Sequence, residues 1–385
     1  MVIRRQLPRV LLTGLALVTA MPLALTLGAS SAVGAGVKTP VRGAIDRAGV
    51  PSAAGRNAGV NKWVVEVNWA DLQPNASSDA LTGNATSRTG IYAIQDGIDE
   101  VDRLNAAQPG LGARIKIRLR AGRDAPGWAK QIGGGPLNLV SVVNGVTVDT
   151  FTAPAFWEPA FTNAYATLVR KLGTRYDGAP EIGEWVICVS GVGFCDGTKQ
   201  MGDGNNEQEF ARANYSKAAD IAAEKAGIDA HAAAFPTTRS TQAFFPFQYV
   251  YRDSSGHLQV DQDYSTTFQI MDYGQQVLGA TNRWVEENYS ASEARRTETG
   301  YTPLWDRLRT DASNGWPTQY QTAAPNRVGN LCVVLQWAAE TQGALEVELP
   351  RTYDTDPVSL GCPLTGAANS IKYWDSVLES NPFSH

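Results

Sequence analysis

The chain has 385 residues, with 33 lysines and arginines against 38 aspartates and glutamates and a formal net charge of −5. This mildly acidic balance, without any basic run, argues against nucleic acid as a partner. The length suits one large domain, because barrels often reach this size without splitting.

The N-terminus has the pattern of a secretory signal peptide. Three arginines within the first nine residues precede an apolar run at 10–27, and small residues follow up to about residue 35. The alternative is a membrane anchor, since the run is nearly long enough to span a bilayer. Pro22 and the small-residue end favour cleavage. We therefore expect a secreted mature chain at 36–385, with no further segment that could cross a membrane.

Strand-like and helix-like segments alternate through the mature chain. The strands are predicted at 41–46, 62–69, 114–120, 182–192, 231–235, 282–287, 318–322 and 345–349. Helices are predicted at 92–105, 156–176, 207–226, 271–278, 303–313, 329–341 and 367–380. A Gly-, Val- and Asn-rich insertion at 129–155 is expected to form a loop that carries a hairpin. This alternation predicts an α/β fold, a (β/α)8 TIM barrel in a single domain.

Three of these strands alternate apolar residues with charged or polar ones. The polar members are Glu66 and Asn68 on the second strand, Lys116, Arg118 and Arg120 on the third, and Glu346 and Glu348 on the eighth. In a barrel the apolar faces pack on the outer helices, so the polar faces point to the axis. Buried charges must then pair with one another. Glu348 and Arg120, last on their strands, are expected nearest the mouth, with Glu346, Arg118 and Glu66 as a supporting layer.

Four cysteines, Cys188, Cys195, Cys332 and Cys362, are an even number in a chain with a secretory signal, which predicts two disulfides. Proximity favours Cys188–Cys195 and Cys332–Cys362, although three pairings are formally possible. A metal site is the rival explanation. It is disfavoured because the cysteine spacing matches no zinc pattern and the three histidines are scattered.

Short segments in the first half resemble secreted glycoside-hydrolase barrels such as the family 42 β-galactosidases. They are Trp69-x-Asp-Leu-Gln-Pro74, Ala121-Gly-x-x-Ala-Pro-x-Trp128, and the 165–177 helix followed by a strand ending near Trp185. The resemblance covers roughly residues 40 to 200, and the remainder shares only the alternation of strands and helices. It implies the barrel fold and a sugar-like ligand. The function we expect is hydrolysis of O-glycosidic bonds by a carboxylate pair, with no cofactor.

The chain departs from this family at both catalytic positions. Those relatives carry an acid/base Glu after Asn at the end of strand four and a nucleophilic Glu at the end of strand seven. Here the corresponding segments are Ser190-Gly-Val-Gly-Phe-Cys-Asp196 and Thr318-Gln-Tyr-Gln-Thr-Ala323. Neither glutamate can be transferred to this sequence.

The remaining candidates for catalysis are carboxylates at predicted strand ends: Glu348, Glu287 and Asp196. Glu348 is the first choice because its inward direction is clear, and its alternative is a structural salt bridge to Arg118 or Arg120. Whether Glu286 or Glu287 points inward is open, as is a plain exposed position. Asp196 lies beside a predicted disulfide, which also suits a loop-shaping role.

Several polar and aromatic residues are candidates for substrate binding. Arg120 and Arg123 can hold an anionic group such as a uronate, sulfate or phosphate, unless they form structural ion pairs. Trp69, Trp128 and Trp157 suit a sugar-stacking wall or a packed core, while Asn68, Gln319 and Gln321 offer hydroxyl-binding amides.

The sequence therefore predicts a secreted carbohydrate-active barrel without a cofactor. A non-catalytic carbohydrate-binding barrel is the alternative, and a purely structural barrel plugged by Arg–Glu pairs is a third reading. The oligomeric state is not indicated.

Overall fold

The computed structural model describes residues 36–195, 198–366 and 368–385, and its centre is a closed barrel of eight parallel strands. The strands are β1 (Gly43–Asp46), β2 (Lys62–Asn68), β3 (Arg114–Arg120), β4 (Ile182–Val186), β5 (Arg239–Phe244), β6 (Trp284–Ala291), β7 (Thr318–Thr322) and β8 (Glu346–Leu349). They follow one another around the barrel in chain order, and β1 closes it by pairing with both β2 and β8. The prediction of a (β/α)8 barrel is confirmed.

A helix follows each strand. These helices are α1 (Ala53–Asn57), α2 (Ile91–Ala107), α3 (Pro159–Tyr176), α4 (Lys217–Ala234), α5 (Tyr264–Val277), α6 (Thr302–Ser313), α7 (Leu331–Gln336) and α8 (Ile371–Ser380). Shorter α-helical segments lie at Trp69–Leu72, Gly127–Lys130, Asn206–Arg212 and Pro325–Val328. Single turns of other helix types lie at Ile132–Gly134, Gly279–Thr281, Arg295–Thr297, Thr299–Tyr301 and Trp337–Thr341.

In the described ranges, three antiparallel hairpins form small sheets separate from the barrel. They pair Gly83–Asn84 with Thr89–Gly90, Leu137–Val143 with Val146–Ala153, and Phe247–Arg252 with Leu258–Asp263. The second of them lies within the segment for which the sequence predicts a hairpin-bearing loop. None of the helices in the described ranges is long and apolar enough to cross a membrane.

The main core lies between the barrel and its helices. On β6 the fully buried Trp284 fits against Gly274 of α5, where an added Cβ would lie 2.2 Å from the indole ring. On β4 the ring of Trp185 stacks on Phe235, with 4.9 Å between ring centroids. Because these large rings occupy the outward face, the inward face of the strands is left for polar side chains.

The fifth strand was predicted in the wrong place. Residues 231–234 belong to the last turn of α4, and β5 begins only at Arg239. The segment His231-Ala-Ala-Ala-Phe235 is apolar and short, so periodicity cannot distinguish strand from helix, and its alanines favour helix. The true strand, Arg-Ser-Thr-Gln-Ala-Phe, is buried at every residue although it carries polar residues on both faces.

Several other boundaries also differ from the prediction: β6 continues to Ala291 instead of ending at residue 287, and α5 begins at Tyr264 instead of at residue 271. Strand β4 ends at Val186 rather than at residue 192, because the chain then turns into the loop closed by Cys188 and Cys195. The single helix predicted at 207–226 is two helices, interrupted near Asn214, whose φ of +56° does not fit a right-handed helix.

Candidate functional site

A cluster of charged side chains fills the barrel axis, and Lys116 of β3 is at its centre. Lys116 Nζ lies 2.7 Å from Glu287 Oε1, 2.8 Å from Gln319 Oε1, 3.1 Å from Glu346 Oε1 and 3.2 Å from Glu348 Oε1. The strand register requires this meeting, since Glu287 pairs with Gln319 and Gln319 with Glu346 on successive strands. All five residues have no exposed surface.

Below this layer, Glu184 of β4 is the floor of the polar core. Its carboxylate accepts from Gln319 Nε2 at 2.9 Å, from Thr241 Oγ1 at 2.6 Å and from the backbone N–H of Val41 at 2.7 Å. Val41 directly precedes β1, so this end of the barrel is closed by protein groups. A ligand must therefore approach from the opposite, C-terminal end of the strands.

Above the lysine layer, Arg118 covers Glu348. Arg118 Nη2 donates to Glu348 Oε1 at 2.5 Å, and Nη1 lies 3.5 Å from Glu66 Oε1 on β2. Arg118 is only 4 % exposed, whereas the Glu66 side chain is 29 % exposed at the mouth. One guanidinium therefore separates the buried carboxylate from the open one.

The carboxyl groups on the axis differ in their protonation. Burial would raise the pKa of Glu348, but Arg118 and Lys116 outweigh it and hold that pKa well below its ordinary value. Burial raises the pKa of Glu287 to about 7, although Lys116 partly opposes the shift. Burial also raises the pKa of Glu346 well above its ordinary value, against the same opposing lysine. Glu348 is thus the stable anion of the cluster, whereas burial favours the protonated form of Glu346.

The three glutamates alone would suit a cation, because one oxygen of each lies within 4.8 Å of the others. The ammonium of Lys116 stands among these oxygens, at 2.7 to 3.2 Å from each of them. It therefore supplies the positive charge that these carboxylates need.

The mouth of the barrel is an open pocket of about 280 Å³ with a strongly cationic lining. Within the described ranges, five arginines and a single carboxylate, Glu66, contribute to its wall; the arginines are Arg47, Arg118, Arg120, Arg327 and Arg351. The remaining lining residues include Phe194, Tyr289 and Gln321. The pocket therefore has the charge of an anion-binding site.

Loops and a strand irregularity supply much of this wall. Arg47 follows β1 and donates to the carbonyl of Thr322 at 2.6 Å, while Arg351 follows β8 and lies 3.8 Å from Glu66. In β6 the register shifts between Asn288 and Ala291, and Ser290 has a φ of +69°. Bulges of this kind re-aim side chains next to functional sites.

Arg120 and Arg123, the two arginines predicted to bind an anion, are in different places. Arg120 lines the mouth, with Nη1 at 3.4 Å from Glu66 Oε2 and Nε at 2.7 Å from Asp124 Oδ2. Arg123 instead donates to Asp149 on the second hairpin at 2.7 Å. The role of Arg123 is thus to contact the hairpin, at a distance from the lining of the mouth.

The tryptophans proposed as a sugar-stacking wall are packed below the surface. Trp69 is fully buried and meets Trp128 edge to face, with centroids 5.6 Å apart. Trp128 is partly buried and donates to the carbonyl of Gln73, while Trp157 is 3 % exposed and stacks on Phe210. Their contacts are those of core residues.

The predicted amides are divided between core and mouth. Gln319 is buried between Lys116 and Glu184, Asn68 donates to Asp71 at 3.1 Å, and only Gln321 lines the pocket. Gln321 is therefore the amide best placed to meet a ligand.

The choice between Glu286 and Glu287 is decided by the strand register. Glu287 points to the axis and pairs with Lys116, whereas Glu286 points outward, where its Oε1 accepts from Gln275 of α5 and from Trp284. Burial, together with Asp311, raises the pKa of Glu286 well above its ordinary value.

The two predicted disulfides, Cys188–Cys195 and Cys332–Cys362, are confirmed. The first places Cys195 in the wall of the mouth. Asp196, the third candidate for catalysis, lies outside the described residues, as does the predicted signal peptide at 1–35.

Sequence reasoning placed Lys116 on the axial face of β3 beside Arg118 but did not single it out as a site residue. It missed four other residues of the core and mouth, which are Glu184, Arg47, Arg327 and Arg351. The three arginines among them are separated by up to 304 positions, from 47 to 351, and no local pattern links them.

No protein-family model and no curated protein sequence matches this chain. Solved structures with similar folds include an endo-glycoceramidase II from Rhodococcus sp. in complex with ganglioside GM3. That comparison has a TM-score of 0.45 and 13 % identity, covering 88 % of this chain and 78 % of the other.

Two other solved structures are a β-galactosidase from Rahnella sp. R3 and an exo-β-1,4-mannosidase from Opitutaceae bacterium strain TAV5. The galactosidase gives a TM-score of 0.45 at 14 % identity, over 85 % of this chain and 52 % of the other. The mannosidase gives 0.42 at 10 % identity, over 89 % and 60 %. The likeness concerns the barrel, and no ligand or reaction follows from it.

Proposed function

We propose that this chain is an exported, glycosidase-like barrel that binds an acidic carbohydrate at its mouth and does not cleave it. The observation that carries the proposal is the lining of the mouth, where, among the residues that the structure describes, five arginines face one carboxylate, Glu66. Guanidinium groups match carboxylate and sulfate oxygens through paired, charge-assisted hydrogen bonds. A uronate or a sulfated sugar presents such oxygens.

Unused hydrogen-bonding capacity supports an anionic ligand. Among the described residues, the buried Nε of Arg118 has no hydrogen-bond partner. Arg120 keeps only long contacts from its Nη atoms, at 3.4 Å to Glu66 and 3.5 Å to the carbonyl of Gly193. A buried donor without a partner calls for an explanation, and a bound anion that draws the guanidinium toward it supplies one.

Aromatic and amide groups in the same pocket support a sugar. Phe194 is 49 % exposed there, and Tyr289 and Gln321 are part of the same wall. An apolar face with a few polar groups is typical of small-molecule sites, which usually have volumes of about 300–1,000 Å³. At about 280 Å³ the pocket suits one sugar ring of a longer chain.

The state of the inner glutamates argues against cleavage. A glycosidase needs two carboxylates flanking the scissile bond, but Glu287, Glu346 and Glu348 are fully buried and share Lys116. Arg118 stands between them and the pocket. Among the described residues, the carboxylate that a sugar bound in the mouth would meet is that of Glu66.

The two disulfides support export, because such bonds persist in oxidising compartments. They complement the signal-peptide pattern of residues 1–35, and together these features support a secreted protein.

Calorimetric titration with a matched ligand pair tests the proposal. Tri-galacturonate should bind, its fully methyl-esterified form should not, and the affinity should fall with salt. Because a hydrogen bond to a charged group contributes about 1.5–3 kcal/mol, Arg120→Gln and Arg351→Gln should each weaken binding by roughly tenfold or more. Arg103→Gln is the control, since Arg103 is an exposed arginine of α2 that pairs with Glu100. A chondroitin sulfate tetrasaccharide is titrated in parallel to represent sulfated sugars. Equal binding of the neutral ester, or binding that is insensitive to both mouth variants, would overturn the proposal.

Hydrolysis is the second candidate, favoured by one specific observation. Glu287, with a pKa of about 7, lies beside the ionised Glu348, and carboxyl pairs with divergent pKa values are typical of acid/base catalysis. A panel of aryl glycosides and polysaccharides, with the wild type beside Glu348→Gln, distinguishes the two functions. Turnover that the variant abolishes while its fold persists would favour the enzyme, and recovery of every ligand intact would favour the binding protein.

A further inference from the structure

A second buried charge cluster lies outside the barrel axis, between the loop after β4 and helix α4. Lys199 Nζ lies 2.7 Å from Asp220 Oδ2 and 3.8 Å from Glu224 Oε1. The side chains of Lys199 and Asp220 are 1 % and 0 % exposed, and that of Glu224 is 6 % exposed. Neither the mouth nor the axial cluster uses these residues.

Aromatic rings surround the lysine. Its Nζ lies 3.7 Å from the centroid of Phe247 and 5.8 Å from that of Phe156. Tyr215 donates its hydroxyl to the same Asp220 oxygen at 2.7 Å. This apolar shell excludes bulk water, so an amide formed here would be protected from hydrolysis.

Glu224 is held in position beside the pair. It accepts from Ser190 Oγ at 2.6 Å and from Gln242 Nε2 at 2.8 Å, one bond to each of its oxygens. Lys199, Glu224 and Gln242 also line a cavity of about 20 Å³. A cavity needs about 10–15 Å³ to hold one water, so this one has room for a single water molecule.

The cluster holds one amine and two carboxyl groups. Burial raises the pKa of Asp220 and of Glu224, although Lys199 opposes both shifts. Burial therefore favours the neutral, protonated form of both carboxyls. Condensation needs a neutral amine and a neutral acid, and passage of one proton from Lys199 to Asp220 across the 2.7 Å contact supplies both.

We propose that Lys199 and Asp220 condense to an intramolecular amide crosslink. The Nζ lone pair attacks Cγ of Asp220, the Nζ–Cγ bond forms, and the bond from Cγ to the departing hydroxyl oxygen breaks. Glu224 accepts the proton that Nζ loses and delivers its own to the departing hydroxyl, which leaves as water. The reaction needs no oxidant, reductant or cofactor, and the cavity can accept the water.

The crosslink would tie the loop after β4 covalently to α4. That loop also carries Cys188 and Cys195, which are joined to each other and reach the wall of the mouth. Two covalent closures would then restrict the segment that presents Phe194 to a ligand.

The intact mass of the folded, secreted protein tests the proposal after its disulfides are reduced. The measured mass should be about 18 Da, the mass of one water, below the mass calculated from the amino-acid sequence of the secreted chain. A tryptic digest should contain a branched peptide joining 176–212 to 218–225, uncut at Lys199. Asp220→Asn should instead lose about 17 Da, because ammonia is then the leaving group.

Three variants check the assignment. Lys199→Arg should show the full sequence mass, and Glu224→Gln should slow or abolish the loss. Lys217→Arg, which alters an ion pair with Asp263 at the surface of the same helix, should keep the wild-type mass loss. If a cluster variant fails to fold, the mass of the wild type still decides. A folded wild type that keeps the full calculated mass after long incubation at neutral pH would overturn the proposal.

Discussion

Replacing Lys116 with methionine tests whether the axial cluster is a balanced structural core. Methionine keeps the length of the stem and removes only the ammonium, which lies within 3.2 Å of three glutamates. Breaking a buried ion pair by removing one partner costs about 3–5 kcal/mol. Total stabilities are usually about 5–15 kcal/mol, so we expect a loss of this size to be readily measured.

The loss should depend on pH in a definite direction. Without the ammonium, the already raised folded-state pKa values of Glu287 and Glu346 rise further above the ordinary value of 4.5, and the depressed pKa of Glu348 rises as well. An acid with a raised folded pKa contributes its full stability below the unfolded pKa and loses it as the pH rises through the folded pKa. The deficit of the variant should therefore be smallest near pH 5 and grow toward pH 8.

Urea denaturation at pH 5 and pH 8, monitored by tryptophan fluorescence with the disulfides intact, measures both effects. Lys372→Met is the control, since Lys372 is an exposed lysine of α8 and should change stability by less than about 0.5 kcal/mol. Adding Glu346→Gln to Lys116→Met should recover part of the loss at pH 8. A deficit below about 1 kcal/mol, or one that is the same at both pH values, would refute the reasoning.

Two further predictions concern the outer layer of the barrel. Gly274→Ala should destabilise the fold by about 1–3 kcal/mol, because its Cβ would meet the buried ring of Trp284 at 2.2 Å. Gly202→Ala, with open space around it, is the control. Equal denaturation midpoints for the two variants would disprove the clash. Burial and Asp311 raise the pKa of Glu286, so the wild type loses stability as the pH rises. Glu286→Gln should therefore leave the free energy of unfolding nearly unchanged at pH 5 and raise it relative to wild type toward pH 9. A constant difference between the two proteins across that pH range would mean that Glu286 does not titrate as described.

The sequence predicted the barrel because its strands carry a clear period-2 signal. In β3 and β8 the charged residues fall on one face only, and the structure places Lys116, Arg118, Glu346 and Glu348 on the axis. Strand β5 was missed because Ser, Thr and Gln are buried there on both faces. Its burial comes from neighbouring strands, which no single segment reveals.

The site was harder to predict because its parts meet only in three dimensions. The sequence could not say whether Glu286 or Glu287 faces inward, since the register with β5 and β7 decides it. The arginines of the mouth come from separate elements: Arg118 and Arg120 lie on β3, whereas Arg47 and Arg351 follow β1 and β8. By contrast, the rule that buried charges must pair anticipated the contact of Arg118 with Glu348.

The affinity of Glu66→Gln for tri-galacturonate tests the central claim most directly. Glu66 is the single carboxylate that the described part of the chain contributes to the lining of the mouth, and it lies within 4 Å of Arg118, Arg120 and Arg351. Removing its charge strengthens the positive field, so binding should become about three- to tenfold tighter, equivalent to roughly 0.7–1.4 kcal/mol. Asp306→Asn makes the same change in net charge on exposed α6 and should leave the affinity unaltered. An unchanged or weaker affinity in Glu66→Gln would contradict an anion-binding mouth.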